Sequence, residues 1–98
     1  LESIIRKDPL DGEVLFTLSE YFLGNKEEEK GLMLLEQVVQ VQGFTARAER
    51  RIGEVYVSRG DYKKAHSALK KAQNLEPHKA LEEYINSVER LSKLYERN

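Results

Sequence analysis

The side chains best suited to chemistry in this chain are two histidines, and neither has the partners that a reaction needs. His66 lies on a predicted outer helix and His78 at a predicted junction, and no nucleophile pairs with either of them. His78 and Glu82 are one helical turn apart, which usually gives a surface contact, whereas a metal site needs three or four converging ligands. We therefore expect no enzymatic activity, no metal and no cofactor.

Other common chemistries also lack their residue patterns. The chain has no cysteine, which excludes disulfides and thiolate sites. Its six glycines are scattered and form no phosphate-binding loop. A basic patch in the second half has no interleaved aromatic residues, and the pI is near 6.2, so the sequence favours a protein partner over nucleic acid. The patch consists of Arg59, Lys63, Lys64, Lys70 and Lys71.

The composition is that of a small soluble domain. Of 98 residues, 40% are hydrophobic and 34% charged, and no apolar run approaches the roughly 20 residues of a membrane span. We expect no membrane insertion, while cytoplasm and periplasm both remain open. The net charge of −1 divides unevenly, with −5 over residues 1–44 and +4 over residues 45–98. Solvated helix surfaces with an uneven distribution of charged residues explain this division. Electrostatic steering of an acidic ligand or head-to-tail contacts would explain it as well.

The chain repeats itself at a spacing of 34 residues. Residues 12–45 align with residues 46–79 without a gap. The segment that ends a helix at the close of a repeat occurs three times, and its copies begin at Leu1, Leu35 and Leu69. Identity is low, but apolar or small residues recur at helical spacing. A period between 20 and 50 residues indicates stacked supersecondary units. Because the first copy aligns with the end of a repeat, we expect this chain to be part of a longer array.

Helix breaks predict an all-α fold of helical hairpins in a single domain, 1–98. Asn25-Lys26 and Gly60-Asp61 interrupt the two repeats at equivalent places, and Asp61 is a good helix N-cap. We assign residues 1–11 to the second helix of a preceding repeat, 12–45 and 46–79 to two repeats, and 80–98 to a capping helix. The apolar stripe of the capping helix consists of Leu81, Tyr84, Ile85, Val88, Leu91, Leu94 and Tyr95.

The second repeat resembles a tetratricopeptide repeat, on the residues Ile52-Gly53, Tyr56, Gly60, Tyr62, Ala65, Leu69, Ala72 and Pro77. The resemblance implies a right-handed solenoid of antiparallel helical hairpins. In it, Gly53 and Ala65 would let two helices approach closely, with Ile52, Tyr56, Leu69 and Leu75 around the crossing. The first repeat differs from this pattern, because Ser19 and Gly31 occupy its two crossing positions. The tryptophan of the family is absent as well.

Proteins of this family hold a peptide or partner segment in a concave groove that is lined by the first helix of each hairpin. Carried over to this chain, the resemblance implies a groove formed by Glu13, Phe16, Thr17, Glu20, Arg47, Arg50, Arg51, Glu54 and Tyr84. Some members clamp a chaperone's C-terminal carboxylate with asparagine and lysine. Here Phe16, Glu20 and Glu54 occupy those places, so we expect a different ligand.

We therefore expect a non-enzymatic protein-interaction scaffold. An arginine cluster beside carboxylates and one aromatic ring suits a segment with an acidic residue and an apolar anchor. Two alternatives remain open at this point. The arginines could simply solvate a helix, and the chain could be a structural segment with no groove ligand. In the second case it would self-associate through an apolar N-terminal end, namely Leu1, Ile4 and Ile5, with Phe22 and Leu23 close by.

Overall fold

A computed structural model of the chain describes residues 9–96, and these residues form helices joined by short turns. The helices are α1 (Pro9–Gly24), α2 (Glu28–Val38), α3 (Thr45–Ser58), α4 (Tyr62–Leu75) and α5 (Lys79–Glu96). No strand occurs among the described residues, which confirms the predicted all-α class. Within that same range, none of the helices combines the length and the apolar character needed to cross a membrane.

The contacts divide the chain into two compact units. The first unit is Leu1–Ala48 and the second is Glu49–Asn98. The first unit contains the hairpin of α1 and α2, and the second contains α4, α5 and most of α3. The predicted single domain and its repeat boundaries stay predictions. Helix α1 begins at Pro9, three residues before the predicted repeat start at Gly12, because proline suits the first turn of a helix.

The turns of the two hairpins have the same backbone hydrogen bonds, shifted by 34 residues. In each turn one N–H donates to a carbonyl three residues earlier and the next donates to a carbonyl five residues earlier, which is the Schellman pattern. The bonds run from Lys26 to Leu23 (3.3 Å), Glu27 to Phe22 (2.9 Å), Gly60 to Val57 (3.0 Å) and Asp61 to Tyr56 (2.9 Å). The predicted breaks at both places are confirmed.

The first hairpin is closed by a close approach at Gly31 of α2. A Cβ added there would lie 2.7 Å from the Leu23 side chain and 3.2 Å from the carbonyl oxygen of Ser19. Ser19 itself is fully buried, and its hydroxyl donates to the carbonyl oxygen of Phe16 at 2.6 Å. That bond satisfies the buried polar group without a cross-helix partner.

In the second unit, the glycine at the close approach lies on the first helix of the hairpin, whereas in the first unit it lies on the second helix. A Cβ added at Gly53 of α3 would lie 2.5 Å from the Leu69 side chain and 3.3 Å from the carbonyl oxygen of Ala65. Helices α4 and α5 then share one apolar cluster, with Tyr56, Val57, Tyr62 and Tyr84 packed against it. The buried members of the cluster are Ala65, Leu69, Ala72, Leu81, Ile85 and Val88.

Two details of the predicted packing are wrong. Leu75 was expected at the helix crossing but is 56% exposed, because it is the last residue of α4 and lies beyond the buried turn at Ala72. Leu94 and Tyr95 were expected on the buried stripe of α5 but are 61% and 62% exposed. The buried part of that stripe ends at Val88, so the last two turns of α5 lie beyond the core.

Candidate interaction surfaces

The first unit brings together three of the predicted groove residues around Arg47. Its guanidinium group lies 4.1 Å from the centre of the Phe16 ring and 6.0 Å from that of Phe44. It also donates to a carboxylate oxygen of Glu13 at 3.3 Å. We call Glu13, Phe16 and Arg47 the α1 cluster. Its arginine is held on an aromatic face by a cation–π contact and oriented by one carboxylate.

Glu13 and Arg47 occupy the same position of the 34-residue period. Their ion pair therefore joins α1 to the start of α3 at equivalent points of two successive first helices. Both side chains are about half exposed, at 54% and 49%. A surface pair of this kind adds little stability, so its main effect is to fix the direction of the guanidinium group.

The other two predicted residues of α1 take different places. Thr17 is exposed and lines a surface depression of about 430 Å³ together with Glu13, Val14, Leu18 and Tyr21. Glu20 is half-buried.

The second unit groups four predicted residues, Arg50, Arg51, Glu54 and Tyr84, which we call the α3 cluster. A nitrogen of Arg51 donates to one Glu54 oxygen at 3.2 Å, and Arg50 Nε lies 3.6 Å from the other oxygen. The Arg50 contact is longer than a hydrogen bond. Because Arg50 is also 46% exposed, its guanidinium group presents donors to solvent beside a carboxylate that Arg51 already binds.

Tyr84 places a phenol of α5 beside these charges. It is half-buried and packs against the apolar cluster of the second unit. Burial raises the pKa of Tyr84 above its usual value of 10.0, and the negative charge of Glu54 raises it further, while Arg50 and Arg51 oppose the shift. The hydroxyl therefore stays protonated at neutral pH and can donate a hydrogen bond to an acceptor placed there.

Sequence reasoning missed the aromatic partners of several cations. Phe44 precedes Arg47 by three residues, a spacing that could have indicated their contact. Two further pairs recur with the period: Lys30 lies 5.4 Å from the Phe22 ring and Lys64 lies 5.6 Å from the Tyr56 ring. The alignment had matched both lysines and both rings, and that match was the available signal.

Sequence reasoning also missed an exposed apolar face of α1. Val14, Leu18 and Tyr21 are 62%, 41% and 61% exposed, although the alignment matched Leu18 with the buried Ile52. We call these three residues the α1 stripe. Their spacing of four and three residues places them on one side of the helix, but the spacing does not indicate whether that side is buried or exposed.

His66 and His78 contact residues that belong to neither cluster. His66 Nε2 is 3.9 Å from a Glu89 oxygen, in a surface depression that Lys63, Ser92 and Lys93 also line. No group of three or more potential metal ligands converges within residues 9–96.

Comparison with models of known protein families, with curated proteins and with solved structures finds no significant match to this chain.

Proposed function

We propose that this chain is a non-enzymatic protein-interaction scaffold of the tetratricopeptide type, built as a right-handed stack of helical hairpins with α5 as its cap. The observation that carries the proposal is the contact between equivalent positions one period apart, Glu13 and Arg47. In a stack of identical units, equivalent positions of successive first helices are neighbours. The hydrogen bonds of the two turns and the two lysine–aromatic contacts recur with the same period.

The ligand we propose is a protein or peptide segment that combines an acidic residue with an apolar side chain. Arg50 offers exposed guanidinium donors, and a carboxylate is the group that such a fork binds best. Tyr84 adds a protonated hydroxyl in a partly desolvated position. In the first unit, Phe16 and Arg47 form a cation–π pair, and arginine is one of the residue types that most often carry binding energy at interfaces.

The proposal is tested by selecting ligands from a random peptide library and then measuring their affinities. We expect the selected peptides to be enriched in Asp or Glu near an apolar residue. Arg50→Gln should weaken their binding by about tenfold, which corresponds to about 1.4 kcal/mol. Lys70→Gln is the matched control, because it removes the same charge from an exposed position of α4.

Either of two results would reject the ligand chemistry. One is a selection without acidic enrichment, and the other is an equal loss of affinity in the Arg50 and Lys70 variants. The second result would show that only the overall charge matters. Phe16→Ala tests the first unit in the same assay and should also weaken binding, because it removes the ring on which the Arg47 guanidinium group lies.

A second candidate function is that of a structural segment whose only binding is self-association. The exposed α1 stripe favours it, since three large apolar side chains in water form an association surface. Light scattering over a range of concentrations tests this candidate. A mass that rises with concentration in the native chain but not in a Leu18→Glu variant would support it, whereas a monomer throughout would reject it.

A further inference from the structure

The solvent-facing side of α4 carries positive charge and no negative charge. The helix contains four lysines and, over Tyr62–Leu75, no aspartate or glutamate. All four lysines are exposed, and they form two rows on the side of the helix that faces away from its buried residues. Each row joins two lysines seven residues apart, so it extends for about 10 Å along the helix. We call these residues the α4 face, namely Lys63, Lys64, Lys70 and Lys71.

The charge of the α4 face is compensated mainly at its N-terminal end. There Lys64 Nζ lies 3.9 Å from an oxygen of the N-cap residue Asp61 and 5.6 Å from the centre of the Tyr56 ring. Among residues 9–96, no acidic side chain forms an ion pair with Lys70 or Lys71. The C-terminal half of the α4 face therefore carries positive charge that can attract an anionic ligand.

Folding brings two aromatic rings to the N-terminal end of the same face. Tyr62 precedes Lys63, and the centre of the Tyr95 ring, which comes from α5, lies 5.5 Å from that of the Tyr62 ring. Tyr95 is 62% exposed. Both rings line a surface depression of about 190 Å³ together with Lys63. Lys63 also borders the depression that contains His66 and Glu89, so one carboxylate lies near this end of the face.

The chemistry of the α4 face suits a polyanion better than a folded protein. Between the two rows of lysines lie Ser67 and Asn74, both exposed and polar, so a protein partner would find no apolar core for its interface here. A chain of phosphates needs no such core, because its binding comes largely from the release of counterions. An exposed aromatic ring beside the lysines adds a surface on which an unpaired base can stack.

We propose that the α4 face binds single-stranded nucleic acid, with its four lysines along the phosphates and Tyr95 against one base. The sequence favoured a protein partner because no aromatic residues were recognised within the basic patch, and the position of Tyr95 removes that objection. The overall pI near 6.2 averages an acidic first half with a basic second half. The α4 face shares no residue with the α1 cluster or the α3 cluster, so this activity is separate from the peptide binding proposed above.

The test measures the binding of a fluorescent single-stranded RNA of mixed sequence, about 12 nucleotides long, by anisotropy at several salt concentrations. With four phosphate contacts, the logarithm of the association constant should fall against the logarithm of the salt concentration with a slope of about −2.8. Lys70→Gln with Lys71→Gln should reduce that slope to about −1.4. Lys79→Gln with Arg90→Gln is the matched control, because it removes the same charge from exposed positions of α5 and should leave the slope unchanged.

The contribution of the ring is tested in the same assay. Tyr95→Ala should weaken binding by about tenfold, whereas Tyr95→Phe keeps the ring and should bind as the native chain does. An RNA duplex of the same sequence should bind several-fold more weakly than the single strand, because its bases are already stacked on one another. Ultraviolet cross-linking of the single strand should label Tyr95 or Tyr62 in the native chain, and this measurement does not depend on the folding of any variant.

Five results would overturn the proposal. Equal slopes in the two double variants would mean that only the net charge matters. Equal affinities for duplex and single strand, or an unchanged affinity in Tyr95→Ala, would mean that the site holds no base. Tighter binding to vesicles of phosphatidylserine and phosphatidylcholine than to the RNA would assign the α4 face to a membrane surface. Absence of binding even at about 20 mM salt, where phosphate contacts are strong, would mean that the lysines only solvate the helix.

Discussion

The two helical hairpins share their turns but differ in how their helices approach. The backbone bonds of the turns agree position by position at a shift of 34 residues. At the crossing, the first hairpin has Ser19 on its first helix and Gly31 on its second, whereas the second hairpin has Gly53 and Ala65. The period therefore requires two small residues at the crossing and leaves open which helix carries the glycine.

A leucine fills the crossing in each hairpin, but its exposure differs. This difference governs how well each hairpin tolerates a larger residue in place of its glycine. In the first hairpin Leu23 lies over Gly31 and is only half-buried. In the second hairpin Leu69 lies over Gly53 and is completely buried. A half-buried leucine can turn toward solvent when its neighbour grows, but a leucine enclosed in a core cannot.

The largest expected effect comes from adding a methyl group at each crossing. Gly53→Ala should destabilise the chain by about 1–3 kcal/mol through overpacking against Leu69. Gly31→Ala should cost less than about 1 kcal/mol, because Leu23 can move and alanine favours the helix. Urea unfolding of both variants measures the difference. Equal costs would show that the exposure of the facing leucine does not control the tolerance of the crossing.

The turns provide the next comparison, because the same left-handed position is filled by different residues. Lys26 has a φ of 64° and Gly60 a φ of 78°, and only glycine adopts this conformation without strain. Gly60→Lys should destabilise the chain by about 1 kcal/mol. A Cβ at this position would meet nothing within 4 Å, so the cost would be backbone strain alone.

The reverse exchange, Lys26→Gly, should stabilise the chain by less than about 1 kcal/mol. Glycine relieves the strain but gains entropy in the unfolded state, which offsets part of the benefit. Thermal unfolding of both variants provides the measurement. Loss of stability in Lys26→Gly would mean that the lysine side chain contributes more than its backbone conformation costs.

The sequence predicted the helices and their breaks because these depend on nearby residues. Asn25-Lys26 and Gly60-Asp61 end the helices through local backbone preferences, and Asp61 does accept a bond from the N–H of Lys64, at 3.5 Å. The exposure of Leu18 and Leu75 could not be predicted in the same way. Burial depends on which residues lie opposite, and an apolar residue in the helical pattern looks the same in both cases.

The membership of the candidate site stays a prediction, but some contacts among its residues can be compared with what the sequence indicated. The resemblance assigned Glu13, Phe16 and Arg47 to one surface, and these three residues do meet in the first unit. It did not indicate that Arg47 would lie on the Phe16 ring, since that contact joins residues distant in sequence. Nor did it indicate that Arg51 would bind Glu54 more closely than Arg50 does, because both arginines lie within one helical turn of that glutamate.

The two clusters should also respond differently to salt. A double-mutant cycle on Arg47 and Phe16 should give a coupling of about 0.5–1 kcal/mol that changes little with salt, since the contact is largely cation–π in character. A cycle on Arg51 and Glu54 should give about 0.3–0.5 kcal/mol, falling as salt screens the pair. Equal salt dependence of the two couplings would show that both clusters are held by charge alone.

The smallest expected effect is on stability at high pH, where Tyr84 of the second unit is compared with Tyr21 of the first. Burial and the charge of Glu54 raise the pKa of Tyr84 in the folded state, so the unfolded chain loses this proton first, near pH 10. The contribution of Tyr84 to stability is therefore complete below about pH 10 and decreases as the pH rises through the folded-state pKa. Tyr84→Phe should lessen the alkaline loss of stability, and Tyr21→Phe, which makes the same change at a 61% exposed position of the first unit, is the comparison variant. Urea unfolding between about pH 8 and 11 measures both slopes. If the two variants flattened the slope equally, the environment of Tyr84 would not differ from that of an exposed tyrosine, and the Tyr84 hydroxyl of the α3 cluster would not be partly desolvated.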